Sequence, residues 1–240
     1  MTDELRGKRA LVTGGTRVIG AAVARLLADR GADVTVTGTS AGRTPPGANI
    51  RYELADFSDS HATERFASSM ADRGIEILIN NAGINVVAPF ADVDVTDFDR
   101  ILRVNVRAPM VLCRALLAGM RGRGWGRIVN VTSVFSHVSR EGRAAYSTSK
   151  FGLDGMTAAL AAEVARDGVL ANCVAPGFVD TELTRRILGE AGMRDVAALV
   201  PIGRLATADE IARFIVWLAG PENTYISGQN LFIDGGFTRV

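Results

Sequence analysis

The sequence predicts an α/β protein with a doubly wound, seven-stranded parallel sheet and helices on both faces. Two observations lead to this prediction. Short apolar runs rich in β-branched residues alternate with segments of helical period along the whole chain, as expected for repeated βαβ units. The first run, residues 8–13, breaks into a glycine-rich turn and then a helix, which is typical of the Rossmann-type arrangement.

Each element follows from its local pattern. Strands are predicted where β-rich apolar runs lie between turn residues, at 8–13, 33–37, 50–54, 75–80, 127–132, 169–175 and 230–233. Helices are predicted where apolar positions recur with helical period, several of them after a capping Ser, Thr or Asp, at 18–30, 59–73, 96–121, 144–167, 181–189 and 207–219. We therefore expect a single domain over residues 1–240. Residues 1–6 are expected to be flexible, and the long connection at about 178–205 is expected to cover a site.

Composition and charge exclude several classes of protein. The 240 residues carry 27 Lys and Arg against 26 Asp and Glu, which leaves no cationic surface for nucleic acid or an anionic membrane. No apolar run approaches the roughly 18–20 residues that span a bilayer, and the chain does not begin with a leader pattern. Cys113 and Cys173 lack metal-ligand spacing, so we expect two buried thiols, no metal site and a cytoplasmic protein.

The turn from Gly14 to Gly20 is the first candidate functional feature. A glycine-rich turn between a strand and a helix presents free backbone N–H groups and the positive end of the helix dipole to a pyrophosphate. A tight turn in which Gly14 or Gly15 merely supplies a positive φ would use the same residues. The turn taken alone leaves both interpretations open.

Several motifs together resemble the short-chain dehydrogenase/reductase family, in particular its 3-oxoacyl-[acyl-carrier-protein] reductase-like branch. They are Thr13-Gly14-x-x-x-Val18-x-Gly20, Asn80-Asn81-Ala82-Gly83, Ser133, Tyr146-x-x-x-Lys150, Pro176-Gly177-Phe178-Val179-Asp180-Thr181 and the ending Asp234-Gly235-Gly236. The resemblance covers essentially the whole chain. It implies hydride transfer between a nicotinamide cofactor and a ketone or secondary alcohol.

One position departs from the family pattern, which has glycine where this chain has Val18. A β-branched side chain there would crowd the space where the backbone approaches the diphosphate. Either the cofactor is bound more weakly or in a shifted position, or nucleotide binding has been lost. We favour the first interpretation because the other motifs are intact, and we expect Val18→Gly to tighten nucleotide binding.

The end of the second strand favours NADP(H) over NAD(H). It reads Thr37-Gly38-Thr39-Ser40, without the acid that accepts the ribose hydroxyls of NAD. Arg17, with Thr37 or Thr39 and with Arg43 nearby, would suit a 2′-phosphate. The alternative is that Arg17 is a solvated turn residue in an arginine-rich chain.

The resemblance implies the remaining cofactor contacts. It assigns Asp56 to the adenine amino group, residues 81–83 to the adenosine ribose, and Val179 and Thr181 to the nicotinamide carboxamide. The expected cofactor residues are Gly14, Thr16, Arg17, Val18, Ile19, Thr37, Thr39, Asp56, Asn81, Ala82, Gly83, Tyr146, Lys150, Pro176, Gly177, Val179 and Thr181.

Tyr146 and Lys150 are the candidate proton-transfer pair. Their spacing puts both on one helix face, although most such pairs only pack a ring and extend an ammonium to solvent. Lysine occurs at just two positions, 8 and 150, whereas the other cations are arginine. A neighbouring ammonium would lower the pKa of a phenol, which is ordinarily about 10, so we expect Tyr146 to donate and accept the proton.

Two further polar residues complete the expected catalytic group. Ser133 ends the fifth strand, 13 residues before Tyr146, where its hydroxyl would bond the substrate oxygen; outside the motif set it would be interpreted as a cap. Asn105 interrupts a helical pattern, where its side chain suits a locally opened helix. The resemblance connects Asn105 to Lys150 through a water molecule.

The substrate is expected to face Asn85, Phe135, His137 and Phe178. The leading hypothesis is an NADP(H)-dependent oxidoreductase acting on a small carbonyl or alcohol substrate. A 3-oxoacyl-carrier-protein reductase is the second, although the family's carrier-binding arginines are replaced by Gly124 and Asp167. The third hypothesis is a non-catalytic nucleotide-sensing or scaffold protein, and only Val18 in the glycine motif supports it. The resemblance also implies a homotetramer or homodimer formed through the helices near 96–121 and 144–167.

Overall fold

The computed structural model describes residues 4–41 and 50–239. Within them, seven strands form one parallel sheet in the order β3-β2-β1-β4-β5-β6-β7. This confirms the predicted fold class. The strands are β1 (Arg9–Val12), β2 (Asp33–Gly38), β3 (Ile50–Leu54), β4 (Ile77–Asn80), β5 (Gly126–Val131), β6 (Val169–Pro176) and β7 (Asn230–Ile233).

Helices cover both faces of this sheet. In chain order they are α1 (Val18–Asp29), α2 (Ser60–Ala71), α3 (Val95–Leu102), α4 (Ala108–Gly122), α5 (Ala144–Val164), α6 (Glu182–Ala198) and α7 (Ala208–Leu218). Helices α1 and α7 pack on one face, and α2, α4 and α5 pack on the other. Strands β4 and β5 are buried along their whole length, which explains why they read as nearly continuous apolar runs.

The direction in which strands are added reverses between β1 and β4. In open parallel sheets, ligands bind in the crevice beyond the carboxyl ends of the strands at such a point. The residues that follow β1, β4, β5 and β6 are Thr13, Asn81, Thr132 and Gly177. The motifs singled out in the sequence therefore meet at one edge of the sheet.

Three sequence predictions need correction. The helix expected at 96–121 is divided by a π-helical turn, Arg103–Arg107, because the backbone opens around Asn105. The connection after Gly177 is largely helical, since α6 extends to Ala198 and bends at Gly189. Leu5, expected in a flexible segment, is fully buried in the core, and its N–H donates to the Arg30 carbonyl at 3.0 Å.

No helix in the described part of the chain is long and apolar enough to cross a membrane.

Candidate active site

The glycine turn is fixed to the end of β2. The Gly14 N–H donates to Thr37 Oγ1 and the Gly15 N–H to the Thr37 carbonyl, both at 3.1 Å. Thr37 is 1% exposed, so the prediction that its hydroxyl faces a phosphate is corrected. The hydroxyl instead accepts a hydrogen bond from the glycine turn and stabilises it. Gly20 has no room for a side chain, since a Cβ there would collide with the Gly14 carbonyl oxygen.

Val18 begins α1 with a φ of 48°, in the left-handed region. It is the only non-glycine residue with a positive φ among those described, and a β-branched residue is a genuine outlier there. Such strain costs of the order of 1–3 kcal/mol. The sequence indicated crowding at this position, and the structure adds a second physical reason why glycine suits it.

Asn81 joins the glycine turn to the end of β4. Its side-chain Nδ2 donates to the carbonyls of Thr13 and Gly14 at 3.0 and 3.1 Å. The backbone N–H groups of Asn81 and Ala82 both donate to Thr13 Oγ1 at 3.0 Å. Thr13 thus holds this junction together, although the sequence analysis assigned it no role beyond the motif. Gly83, next along the loop, is exposed.

The outer rim of the turn carries the residues expected at a 2′-phosphate. Arg17 and Thr39 are exposed, and the Thr16 methyl group adjoins Gly38 at the end of β2. Ile19 is half-buried behind them. Asp56 is exposed after β3, where its Oδ1 accepts the N–H and hydroxyl of Ser58 at 2.9 and 2.7 Å. Arg43, also expected here, lies outside the described residues.

Lys150 is buried in the first half of α5. Its Nζ donates to the Val131 carbonyl at the end of β5 at 2.7 Å, and the residue is 3% exposed. Burial lowers the pKa of this ammonium to about 8. The Nζ lies 5.6 Å from the centre of the Tyr146 ring, so the two residues share one helix face as expected.

Tyr146 lies in the first turn of α5 with part of its surface accessible. Burial raises the pKa of its phenol, against the opposing effects of a hydrogen bond with Ser133 and the positive charge of Arg143. We expected Lys150 to depress this pKa. Lys150 directs its ammonium to the Val131 carbonyl, and Arg143 supplies a second positive charge near the phenol.

Ser133 lies directly before a short 3-10 turn, Val134–Ser136, and is 9% exposed. Its Oγ accepts the Phe135 N–H at 3.2 Å. The hydroxyl proton stays free for another partner, because accepting a hydrogen bond uses a lone pair and not the donor. Ser133 therefore both caps the turn and faces Tyr146.

Asn105 is fully buried in the π-helical turn. Its Oδ1 accepts the Ile84 N–H, and its Nδ2 donates to the Ile84 carbonyl and to Ser149 Oγ, at 2.9, 2.9 and 3.0 Å. A methyl group built on Gly83 would lie 3.5 Å from this Oδ1 and 3.6 Å from Lys150 Nζ. Both atoms thus face one small space beside Gly83.

The four expected substrate residues differ in exposure. Asn85 and His137 are exposed, and the His137 ring lies edge-on to Phe232 at 5.3 Å. Phe178 is half-buried against Phe237, with ring centres 5.1 Å apart. Phe135 is only 7% exposed and packs edge-on to Tyr146 at 6.3 Å, so its expected place facing the substrate is corrected to one behind the tyrosine.

The end of β6 brings the last motif to the same edge. Pro176 closes the strand, and Gly177 lies against the Asp234 backbone, where a Cβ would come within 2.8 Å of the Asp234 Cα. Val179 bridges to Ala206. The Thr181 hydroxyl caps α6 by accepting the Thr184 N–H at 3.0 Å. Among the described residues, no group of three potential ligands could hold a metal ion.

Comparisons with known proteins agree with this arrangement. The family model described as Enoyl-(Acyl carrier protein) reductase matches residues 14–238. The 3-oxoacyl-[acyl-carrier-protein] reductase FabG of Vibrio cholerae is 38% identical over 243 residues, which cover 98% of this chain and 99% of the relative.

Solved structures agree in fold. A protein of Beutenbergia cavernae, provisionally assigned as an NAD(P)-dependent gluconate 5-dehydrogenase and holding NADP at low occupancy, is 34% identical with a TM-score of 0.94, covering 100% of both chains. A gluconate 5-dehydrogenase of Burkholderia cenocepacia in complex with NADP and tartrate is 31% identical with a TM-score of 0.90, covering 99% of this chain and 98% of that one. The chain belongs to the short-chain dehydrogenase/reductase family, whose members are oxidoreductases of alcohol and carbonyl groups, and resembles its 3-oxoacyl-[acyl-carrier-protein] reductase branch.

Proposed function

We propose that this protein is an NADP(H)-dependent oxidoreductase that interconverts a small ketone and its secondary alcohol. The observation that carries the proposal is the group at the carboxyl edge of the sheet, where a buried lysine, a partly accessible tyrosine and a serine come together. The NADP-containing relatives support the choice of cofactor.

The residues of this chain fit a dinucleotide. Gly14 and Gly20 place no side chain in the turn, where Val18 alone narrows the approach to the backbone, and α1 directs its positive end to the same place. Arg17 and Thr39 are exposed at the end of β2, which lacks an acid, and would hold the 2′-phosphate. Asp56 would bind the adenine amino group.

The remaining cofactor residues follow the same edge of the sheet. Residues 81–83 would line the adenosine ribose, Lys150 would bind the nicotinamide ribose, and Val179 and Thr181 would hold the carboxamide, with Pro176 and Gly177 placing that segment. The cofactor supplies the hydride.

Tyr146 holds the proton of the reaction on its phenol oxygen. In reduction the phenol donates this proton to the substrate oxygen, and in oxidation the phenolate accepts it. Because its pKa is raised, Tyr146 is protonated at neutral pH and holds the proton that reduction requires. The Ser133 hydroxyl donates a hydrogen bond to the same substrate oxygen, where negative charge develops.

The first test is a fluorescence titration of the purified protein with NADPH and with NADH. Tight NADPH binding and weak NADH binding are expected, because Arg17 would pair with the phosphate that NADH lacks. NADPH oxidation with a panel of small ketones follows, with Ser133→Ala and Tyr146→Phe as comparisons. Ketone-dependent oxidation that survives both substitutions unchanged would remove the proposal, and failure to bind either nucleotide would favour the scaffold hypothesis.

A 3-oxoacyl-carrier-protein reductase is the second candidate, because the Vibrio cholerae relative carries that name. In this chain, the arginines near the positions where the family binds a carrier protein contact other groups of the protein itself. Arg121 Nε pairs with Asp167 Oδ2 at 2.7 Å, and Arg127 is 5% exposed with its guanidinium on backbone carbonyls. A carrier-bound substrate preferred over the free thioester would favour this candidate.

We propose that α6 covers the substrate, within the segment 178–205, and that copies of the chain assemble as a homotetramer or homodimer through α4 and α5. Met110 and Phe151 are 51% and 47% exposed on these helices, beside the exposed small residues Gly155, Ala158 and Ala159. Close helix packing uses apolar and small residues of this kind. Light scattering of the wild type and of Phe151→Glu tests the assembly, which this substitution is expected to weaken.

A further inference from the structure

Two arginines without a neutralising partner lie beside the phenylalanine ring that packs against the catalytic tyrosine. The Cζ atoms of Arg140 and Arg143 lie 5.6 and 5.4 Å from the centre of the Phe135 ring, and that ring packs edge-on to Tyr146. Within residues 4–41 and 50–239, neither guanidinium lies within ion-pair distance of a carboxylate. Glu141, which separates them in sequence, is exposed.

Arg143 is the more unusual of the two. Its Nε is buried without a hydrogen-bond partner, and burial, followed by the neighbouring charge of Arg140, lowers the pKa of its guanidinium. Arg127, which is also buried, shows the ordinary solution: it donates to the Gly126 and Asn223 carbonyls at 2.9 Å each. Buried polar groups are nearly always hydrogen-bonded, so Arg143 keeps donor capacity that no described residue uses.

The start of α5 adds to the positive character of this corner. Arg143 precedes the helix without a side-chain cap, and the first turn contains no acidic residue. The segment is held in place by the hydrogen bond between the Ser139 and Ser147 hydroxyls at 2.7 Å, and by the Ala88 N–H, which donates to the Gly142 carbonyl at 3.3 Å. A fixed pair of cations beside a helix N-terminus favours an anion.

We propose that Arg140 and Arg143 bind a carboxylate of the substrate, so that the enzyme acts on oxo acids and the corresponding hydroxy acids. This inference rests on the proposed function, and it adds the substrate class. The carbonyl carbon gains the hydride, the carbonyl oxygen gains the proton of Tyr146, and the carboxylate stays unchanged on the arginines.

The test compares free acids with their neutral esters. Acetoacetate, levulinate and 5-oxohexanoate are assayed beside their methyl esters, which keep the ketone and remove the charge. Wild type is expected to show a kcat/KM at least about tenfold higher for one of the acids than for its ester, since a charge-assisted hydrogen bond is worth roughly 10- to 100-fold.

Arginine variants identify the source of that preference. The double substitution Arg140→Gln with Arg143→Gln is expected to lower kcat/KM for the preferred acid by about 10- to 100-fold more than kcat/KM for its ester, and to leave NADPH binding nearly unchanged. Arg143→Lys keeps the charge and is expected to retain much of the preference. Arg166→Gln, an exposed arginine at the far end of the same helix region, is the matched control and is expected to change neither.

Each outcome decides between the two proposals. Equal reduction of acids and esters by wild type overturns the carboxylate site and leaves the oxidoreductase in place. An equal loss of acid and ester activity in the double variant overturns it as well, because the arginines would then serve only Tyr146 or the fold. If no ketone is reduced, the proposed function fails, and calorimetric titration of 5-oxohexanoate into wild type and double variant still tests the site: equal binding, or none to either, overturns it. A carrier-bound thioester that is preferred to every free acid and unaffected by the double substitution also overturns it.

Discussion

The two ends of the site lie on the same sheet edge but are built differently. Two of the catalytic residues are buried with their polar atoms bonded: Asn105 exchanges two hydrogen bonds with Ile84, and Lys150 binds the Val131 carbonyl. The glycine turn is fixed at its base by Thr37, yet it holds Val18 at a positive φ. The comparison teaches that Val18, which departs from the family's glycine, costs local backbone strain. A change at Asn105 or Lys150 would instead leave buried hydrogen-bonding groups without partners.

The largest effect is expected at the catalytic end, from Tyr146→Phe. The substitution removes the proton donor and keeps the ring that packs against Phe135. General acid catalysis contributes about 10²- to 10⁴-fold, so kcat for ketone reduction is expected to fall by that factor while the Kd for NADPH stays constant. Tyr225→Phe is the matched control, because that tyrosine is 96% exposed. A decrease of less than about tenfold would contradict the role given to Tyr146.

Lys150→Met separates function from stability at the same end. Activity is expected to be lost, whereas the free energy of unfolding at pH 7 is expected to rise. Lowering the pKa from 10.5 to about 8 corresponds to about 3 kcal/mol of penalty on the charged folded form. The Val131 carbonyl left without a donor offsets about 1 kcal/mol of this, so a net gain of about 2 kcal/mol is expected.

The pH dependence checks the sign of that prediction. Between about pH 8 and 10.5 the unfolded chain binds the lysine proton more strongly than the folded chain, so wild-type stability rises with pH across this range. The advantage of Lys150→Met should therefore be full below pH 8, be lost as the pH approaches 10.5, and become a disadvantage of about 1 kcal/mol above it, where only the unpaired Val131 carbonyl remains. Lys8→Met is the control, since Lys8 pairs with Glu76 at 2.8 Å and its loss should not stabilise. Urea unfolding at several pH values measures both, and a constant advantage at every pH would show that the charge is not its source.

Val18→Gly tests the nucleotide end, where a smaller effect is expected. Relief of the positive φ gains about 1–3 kcal/mol, and the greater freedom of glycine in the unfolded chain returns about 0.5–1 kcal/mol. A net stabilisation of about 1 kcal/mol and a several-fold lower Kd for NADPH are expected. Val18→Ala should be intermediate, because its Cβ keeps the strain but not the branched side chain. Thermal unfolding and fluorescence titration measure the two effects, and an unchanged Kd would refute the link between Val18 and cofactor affinity.

What the sequence predicted and what it missed divide along physical lines. The sheet and the positions of Ser133, Tyr146 and Lys150 were predictable because apolar periodicity and motif spacing are properties of the chain itself. The buried hydroxyl of Thr37, the Val131 carbonyl that accepts from Lys150 and the free Nε of Arg143 were not. Each depends on atoms that only the tertiary fold brings together.

The smallest effect is expected beyond both ends, at the bend in α6. Gly189 has a φ of 61° and a ψ of −176°, a region that only glycine occupies without strain of about 1–3 kcal/mol. In Gly189→Ala we expect the segment to move towards a straight helix, because that conformation relieves the strain. If α6 covers the substrate, KM for the ketone should change by roughly fivefold, which is about 1 kcal/mol, and NADPH binding should not change. Gly122→Ala is the control, since that glycine ends α4 with open space around it. A KM equal to that of wild type would mean that the bend does not shape the substrate site, and α6 would then need another reason for its break.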